Sequence, residues 1–259
     1  MTRSDLPFGS EFSPSQIDLP TLLEFAASCC GDPNRFEELI YRRYFVSGAA
    51  TERNRRKKAN NTKLAMIAYG LVDRNVCLTP IGEELRALST EPAALYEAFA
   101  RHILLNLRGA SLVQCVADMD AAGAQFSLVN LRRWLEERGI YLPPAGKHAS
   151  VMKLWLERAG VLTPKWGVDQ AAYHRVMGVT IEEVGILSDL REEQRLFLKA
   201  LATTDSSIPE RSNEIAKLAS AAYGAVFNEK GLPKDVLYPL QQAGLIQLER
   251  TTSGRGAKP

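Results

Sequence analysis

Arg158-Ala159-Gly160-Val161-Leu162 ends an amphipathic, helix-like run with a glycine and two aliphatic residues. The same pattern occurs in Ala68-Tyr69-Gly70-Leu71-Val72 and in Gln242-Ala243-Gly244-Leu245-Ile246, so the three glycines lie 90 and 84 residues apart. A glycine just past a helix adopts the left-handed conformation that ends it, and the aliphatic pair begins a short strand. The pattern predicts a repeated module in which a helix leads into a strand and a turn.

Each copy is followed by a segment that suits a small hairpin. The segments are 73–80, 163–168 and, after a strand over 245–250, the basic glycine-rich stretch 251–259. Helix, glycine, strand and turn in this order are typical of a winged helix-turn-helix. The sequence therefore predicts a mainly α protein with small β-wings, built from three tandem winged helix-turn-helix modules. Because the third hairpin has no second strand and a lone strand leaves backbone groups unpaired, we expect the protein to continue beyond Pro259.

The helical spacing of apolar residues sets the expected core and boundaries. In the first module Leu64, Ile67 and Leu71 are expected to face the core. In the third, helices are expected over 190–202, 209–223 and 232–243. The predicted organisation is an N-terminal arm over 1–15, which lies in a groove or is tethered to the first module, and winged helices over 16–90, 91–179 and 180–259.

Composition is that of an ordinary globular protein, with 46% hydrophobic and 24% charged residues. No apolar stretch approaches the roughly 18 residues needed to cross a bilayer, and the first residues do not form a signal peptide. The four cysteines show no CxxC spacing, and we expect the adjacent Cys29 and Cys30 to be two buried thiols. These features predict a reduced, cytoplasmic protein with no membrane partner.

Charge is concentrated in one segment. Residues 42–63 contain eight basic residues against one acid, Glu52, so this segment carries +7 and the remainder of the chain −5. Basic residues gathered on one surface can displace phosphate counterions together, which favours nucleic-acid binding. A solvated basic loop is an equally good interpretation of the charge alone.

In the first module, Lys58, Asn60, Asn61 and Lys63 are expected at the exposed start of the recognition helix. Asparagine can bond bidentately to adenine, and lysine can reach guanine or phosphate. Helix capping is the competing interpretation for the two asparagines. The residues expected to contact phosphate just before that helix are Arg53, Arg55, Arg56 and Lys57.

The other two modules supply further predicted DNA contacts. In the second they are Lys147, His148, Ser150 (or a helix cap) and Lys153, with Trp166 in the wing as the tryptophan open to a nucleic-acid role. In the third they are Lys230 and Lys234 at the helix start, Tyr238 one turn later, and Arg250, Thr251, Arg255 and Lys258 in the wing. A Ser-Gly-Arg-Gly turn can enter a minor groove or follow a phosphate backbone, although its glycines also suit a plain hairpin.

Catalytic and metal-binding patterns do not occur in the sequence. The three histidines are scattered without a cysteine or carboxylate cluster, and there is no GxSxG, no phosphate-binding loop and no Asp/Glu-x-Lys element of a metal-dependent nuclease. We therefore predict no catalytic residue, no metal site and no cofactor within this chain.

Several segments resemble the N-terminal DNA-recognition region of restriction endonucleases of type II or IIS, in which winged-helix modules precede a separate nuclease domain. These segments are 6–14, 59–63, 146–148, 154–160 and 253–259, which together span most of the chain. The resemblance implies a Mg²⁺-dependent nuclease domain beyond Pro259, and it leaves room for a homodimer of the whole protein.

The predicted function is sequence- or modification-specific binding of double-stranded DNA, which would target the attached nuclease. Two alternatives stay open. A transcriptional regulator would need a dimer or effector domain, and a winged-helix scaffold for proteins would bind DNA weakly and without sequence preference.

Overall fold

The chain is mainly helical. The computed structural model describes residues 4–144, 147–204, 210–228 and 230–249, and for residues 188 and 189 the backbone only. The helices are α1 (Leu19–Ser28), α2 (Pro33–Ile40), α3 (Glu52–Ala68), α4 (Pro80–Ala87), α5 (Pro92–Asn106), α6 (Gly109–Ala121), α7 (Leu128–Glu137), α8 (His148–Arg158), α9 (Gln170–Met177), α10 (Ile181–Asp189), α11 (Glu192–Leu201), α12 (Ser212–Tyr223) and α13 (Tyr238–Gln242). Single π-helical turns over Tyr41–Phe45 and Pro233–Leu237 follow α2 and precede α13. In the described ranges, β-structure is limited to two isolated bridges.

The chain divides into two compact units, residues 1–181 and 182–259. The first unit therefore contains both segments 16–90 and 91–179 in a single body. In the described part of the chain, every helix is too short or too polar to span a lipid bilayer.

The first unit contains one motif twice, at an offset of 90 residues. After α3, Gly70 takes a φ of 70° and Val72 forms an antiparallel bridge to Leu78. After α8, Gly160 takes a φ of 80° and Leu162 bridges to Val168 in the same way. The turns that we predicted to be wings are thus one-bridge hairpins. Each leads into a helix, α4 or α9, whose first turn is capped by a side chain.

The second unit has the helix order predicted for a third copy. Helices α11, α12 and α13 lie within the predicted ranges, and α13 ends at Gly244 with a φ of 73°. In all three copies the amide after the glycine donates to the carbonyl five residues earlier: Leu71 to Met66, Val161 to Leu156 and Leu245 to Leu240, at 2.9–3.0 Å. The core of this unit is built from Leu190, Phe197, Ala200, Ile215, Ala216, Ala219, Ala225, Leu232, Val236, Leu237 and Leu240. The third wing, 251–259, lies outside the described residues.

The described part of the N-terminal arm, residues 4–15, packs against the first unit and buries Leu6, Gly9, Phe12 and Ser13. Phe12 is fully buried, with ring centroids 5.1 Å from Tyr69 after α3 and 5.2 Å from Trp155 in α8. The Gly9 backbone passes so close to α8 that a Cβ on it would lie 2.8 Å from Val151 Cγ1. Since one apolar segment touches both copies of the motif, the arm joins them into one core.

The cysteine expectation was wrong for Cys30. This residue is exposed and forms a disulfide with Cys77, while Cys29 is a buried free thiol as expected. The bridge ties the end of α1 to the first wing turn, and the Gly31 amide donates to the Asn75 carbonyl beside it at 2.9 Å. Two cysteines 47 residues apart show no local spacing signal, so the sequence did not indicate the pairing. The cytoplasmic location stays a prediction.

The core register of α3 also differs from the expectation. Leu71 is buried, but Leu64 is 43% exposed. The face of α3 turned to the core carries Ala59, Thr62, Ala65 and Met66. The buried Thr62 hydroxyl donates a hydrogen bond to the Glu11 carbonyl at 2.9 Å. Small residues on this face let the arm approach the helix closely, and Leu64 is rotated outward.

Candidate nucleic-acid interface

Helix α3 carries most of the basic segment. It is capped by Thr51, whose hydroxyl accepts a hydrogen bond from the Asn54 amide. Glu52 in the first turn interacts favourably with the positive end of the helix dipole. Asn60 and Asn61 lie inside the helix, so capping does not explain either. The prediction that Arg53, Arg55, Arg56 and Lys57 lie just before the recognition helix was wrong, because all four lie within the 17-residue helix α3. Arg42 and Arg43 lie in the π-helical turn that follows α2.

Three of the predicted cationic contacts on α3 have partners within the fold. Arg56 pairs with Glu38 and Glu52 at 3.0 Å and lies 4.4 Å from the Tyr41 ring. Hydrogen bonds from Arg42 and Arg56 hold the pKa of the Glu38 carboxyl below its ordinary value. Lys63 pairs with Glu37 at 2.6 Å with only 14% of its side chain exposed. The third, Arg55, donates through Nη1 to the Gly48 carbonyl at 3.3 Å.

The two asparagines are separated by the structure. Asn61 Nδ2 donates to the Glu11 carboxylate at 3.1 Å, which connects α3 to the arm. The half-buried Asn60 side chain has no hydrogen-bond partner among the described residues. Of the pair, Asn60 is the one whose carboxamide is available to an outside ligand.

The remaining cations of α3 are open to an outside partner. Arg53 and Lys57 are exposed, Lys58 is half-buried, and none of the three has an ion pair within the described part of the chain. Arg53, Lys57, Asn60 and Leu64 follow one another at intervals of three or four residues, so they form one stripe along the helix, which we call the α3 stripe. It combines two cations, a carboxamide and an apolar side chain on one exposed face.

The equivalent helix of the second copy is occupied by the arm and by its own wing. His148 Nδ1 lies 3.0 Å from the Pro7 carbonyl oxygen. Lys153 is 7% exposed, and its ammonium contacts the Glu157 carboxylate and the Pro164 carbonyl. The Ser150 hydroxyl donates to the Lys147 carbonyl at 3.2 Å. Among the predicted contacts of α8, the structure leaves the exposed Lys147 side chain without a partner in the described residues.

Trp166 contributes to packing rather than to an open platform. Its ring stacks on Phe126 with centroids 4.4 Å apart, and the Lys153 ammonium lies 5.8 Å from it. Its backbone takes a φ of 65° in the wing turn. Its counterpart 90 residues earlier, Val76, has a φ of 58° and is fully buried, whereas Trp166 is half-buried. Both residues anchor their turns.

In the second unit, Lys230 and Lys234 are exposed near the start of the last helical segment, and Tyr238 is 46% exposed one turn later. These three side chains thus lie where the sequence placed them. The predicted contacts Arg250, Thr251, Arg255 and Lys258 lie outside the described residues.

The sequence reasoning missed two exposed residues, one in the first wing and one in the α3 stripe. Arg74 is exposed in the turn of the first wing and has no ion pair within the described ranges. A basic residue in a predicted wing was the available signal. The other is Leu64, which apolar periodicity assigned to the core.

A groove of about 460 Å³ between α4, α5 and α9 is a second surface feature of the first unit. Glu84, Glu97, Arg101 and Arg175 contribute two charges of each sign, and Glu97 pairs with Arg175 at 2.7 Å. His102 Nε2 donates to the Tyr69 carbonyl at 2.8 Å, and burial lowers the pKa of its imidazole. Because its charges balance and its histidine is engaged, we assign this groove no ligand.

The described residues contain no group of three or more His, Cys, Asp or Glu side chains placed to hold a metal ion. Comparison with known proteins adds no family: the chain matches no family model, and neither a curated protein nor a solved structure is significantly similar to it. The geometry of the α3 stripe is therefore the main basis for a functional proposal.

Proposed function

We propose that the protein binds double-stranded DNA and places the α3 stripe in the major groove. The observation that carries this proposal is that Arg53, Lys57 and Asn60 share one exposed helix face and have no partners within the described part of the chain. Arg56 and Lys63, on the same helix, are paired to acids of α2. The fold neutralises one side of α3 and leaves the other side positive.

The two kinds of side chain on the stripe have different roles in this proposal. Arg53 and Lys57 lie in the first two turns and contact phosphates, which supplies affinity without sequence preference. Asn60 lies one turn further and hydrogen-bonds to a base edge, for which adenine is the best match. Arg74 in the first wing adds a phosphate contact beside the groove.

The proposed architecture is three tandem winged helix-turn-helix modules, two of which contact DNA through the recognition helix. Support for the repeat comes from the shared helix end at Gly70, Gly160 and Gly244. In the second unit, Lys234 and Tyr238 form the corresponding contact. The middle module acts as a support, since Lys153 and His148 are engaged inside the fold.

In the whole protein we propose that this region targets a restriction endonuclease. The sequence resemblance is the support for that role, and a Mg²⁺-dependent nuclease domain beyond Pro259 would cut the DNA. If the protein is instead a transcriptional regulator, its DNA-binding region would be attached to a dimer or effector domain and not to a nuclease domain. If the protein is instead a scaffold for other proteins, it would bind DNA without preference for any base sequence.

Selection from a randomised duplex pool, methylated and unmethylated, at two salt concentrations tests the proposal. The protein is compared with the double variant Arg53→Gln/Lys57→Gln. The control Arg101→Gln/Arg133→Gln removes two exposed arginines from α5 and α7 and changes net charge equally. We expect an enriched motif for the unchanged protein.

The double variant on α3 should bind that motif at least tenfold more weakly. Its plot of log affinity against log salt should be shallower by about 2, because each phosphate that is no longer neutralised lowers the slope by roughly 0.9. The control should match the unchanged protein. Equal losses in both variants would indicate a diffuse charge effect. Undiminished binding by the α3 variant would exclude the stripe as the interface.

A further inference from the structure

Leu64 is the unexplained residue of the α3 stripe. It is 43% exposed although it lies in a helix whose other large apolar side chains, Met66 and Ile67, are buried or half-buried. A single exposed leucine on a protein surface is ordinary. However, Leu64 lies one turn beyond Asn60, on the helix face that also carries Lys57, so it is placed beside the side chains proposed to contact DNA.

We infer that Asn60 and Leu64 together read A·T base pairs in the major groove, with Leu64 contacting the 5-methyl group of thymine. This inference rests on the proposed DNA binding. An A·T pair presents adenine N7 and N6 to a carboxamide and a thymine methyl to an apolar side chain. Asn60 and Leu64 supply these two chemistries next to each other.

The spacing of the two residues fits neighbouring base pairs. Four residues of α-helix advance about 6 Å, and successive base pairs are about 3.4 Å apart. If α3 lies along the groove, Leu64 meets a pair one or two steps from the one that Asn60 contacts. Lys57, Asn60 and Leu64 lie at positions i, i+3 and i+7 of α3, so they share the face that a recognition helix would present to base edges.

Structural roles within the fold do not explain the presence of Leu64 and Asn60 on this face. Leu64 is not needed to fill the core, because Ala59, Thr62, Ala65 and Met66 occupy the inner face of α3. Asn60 neither caps the helix nor bonds to the arm, because Thr51 caps it and Asn61 makes the bond to Glu11. Both side chains can therefore be changed with little effect on folding, which thermal unfolding of each variant would check.

The test uses the motif enriched from the duplex pool. Each thymine is replaced in turn by deoxyuridine, which removes the 5-methyl group and leaves the base-pairing edge unchanged. Binding of these duplexes is measured for the unchanged protein, Leu64→Ala and Asn60→Ala, with Leu105→Ala as a control at an exposed leucine of α5. A parallel series places 5-methylcytosine at each cytosine, since it carries the same methyl group.

For the unchanged protein and for Leu105→Ala, we expect one deoxyuridine position to weaken binding about fourfold, the value of one buried methyl-sized group. Leu64→Ala should bind the thymine and deoxyuridine duplexes equally. Asn60→Ala should relax preference for adenine at an adjacent position.

Three results would overturn the inference. They are a motif without thymine, a motif in which deoxyuridine has no effect, and a deoxyuridine effect that persists in Leu64→Ala. A methyl effect confined to 5-methylcytosine would replace thymine reading by modification reading. Failure to bind any duplex would instead reject the proposed function itself.

Discussion

The Trp155 indole Nε1 donates to the Phe12 carbonyl at 2.9 Å, and the two rings lie 5.2 Å apart in the centre of the first unit. The two residues are 143 positions apart. Phe12 also contacts Tyr69 and Phe99, so one residue of the arm connects α3, α5 and α8. The position of the proposed DNA-binding helix therefore depends on the segment that the sequence predicted to be an arm, lying in a groove or tethered to the first module.

Phe12→Ala should destabilise the first unit by about 3–5 kcal/mol, because it leaves a cavity between three aromatic rings. Urea unfolding monitored by tryptophan fluorescence would measure the loss. Phe8→Ala is the matched control, since the Phe8 ring is half-buried and makes one edge contact with His148. A loss as small as that of the control would mean that the arm is not part of the core.

Reduction of the Cys30–Cys77 disulfide should lower stability by roughly 2–4 kcal/mol, because the bridge closes a long loop that is otherwise free in the unfolded chain. Thermal unfolding with and without a dithiol would show the shift. The variant Cys30→Ser/Cys77→Ser should unfold at the temperature of the reduced protein and should not respond to the dithiol. An equal response in this variant would show that reduction of the Cys30–Cys77 bridge is not the cause of the shift.

His102 should make the first unit less stable as the pH falls below about 6.5. Burial lowers the pKa of its imidazole in the folded protein, against the opposing influences of the Tyr69 carbonyl and Glu84. The unfolded chain then binds the proton more readily, so the stabilisation is present above the unfolded pKa and is lost as the pH falls through the folded one.

Urea midpoints between pH 5 and pH 8 would measure this dependence on His102. His102→Gln should flatten the profile, whereas His174→Gln, which alters an exposed histidine on α9, should leave it unchanged. Profiles altered equally by both substitutions would contradict the assignment.

Lys153→Met should lower stability by about 1–3 kcal/mol, since Glu157 and the Pro164 carbonyl lose their charged donor. DNA affinity per folded molecule should not change, because the Lys153 ammonium is enclosed by Glu157, Pro164 and Trp166. The exposed wing residue Lys165, changed to Met, serves as the control for stability. Weaker DNA binding by folded Lys153→Met would place α8 in the interface after all.

The helix ends of this fold could be predicted well from the sequence. A glycine followed by two aliphatic residues is a local signal, because the left-handed conformation at Gly70, Gly160 and Gly244 depends on one residue and its neighbours. The buried face of α8, with Met152, Trp155 and Leu156, also follows from apolar spacing.

The face of α3 could not be predicted in the same way. Its inner surface is made of Ala59, Thr62 and Ala65, which carry little hydrophobic signal, while the more apolar Leu64 points outward. A pattern of apolar residues finds large side chains and overlooks a core contact made by small ones. The long-range partners of Phe12 and of Cys30 leave no periodic trace at all.

The sequence could predict which basic residues form the candidate site, but not which of them are free to bind an outside partner. The sequence located the basic segment but began the helix several residues too late. It also could not distinguish Arg53 and Lys57, which face outward, from Arg56 and Lys63, which pair with Glu38 and Glu37. Ion pairs between helices depend on how the helices are rotated relative to each other, and the net charge of a segment gives no information on that rotation.

The contact between Phe12 and Trp155 also has a consequence for synthesis on the ribosome. At roughly 5–20 residues per second, translation needs about 7–30 s to pass from Phe12 to Trp155. During that interval the Phe12 ring does not yet have Trp155 to pack against. The nascent first unit therefore exposes an apolar N-terminal segment until α8 leaves the exit tunnel, and this interval is when a chaperone would have most to bind.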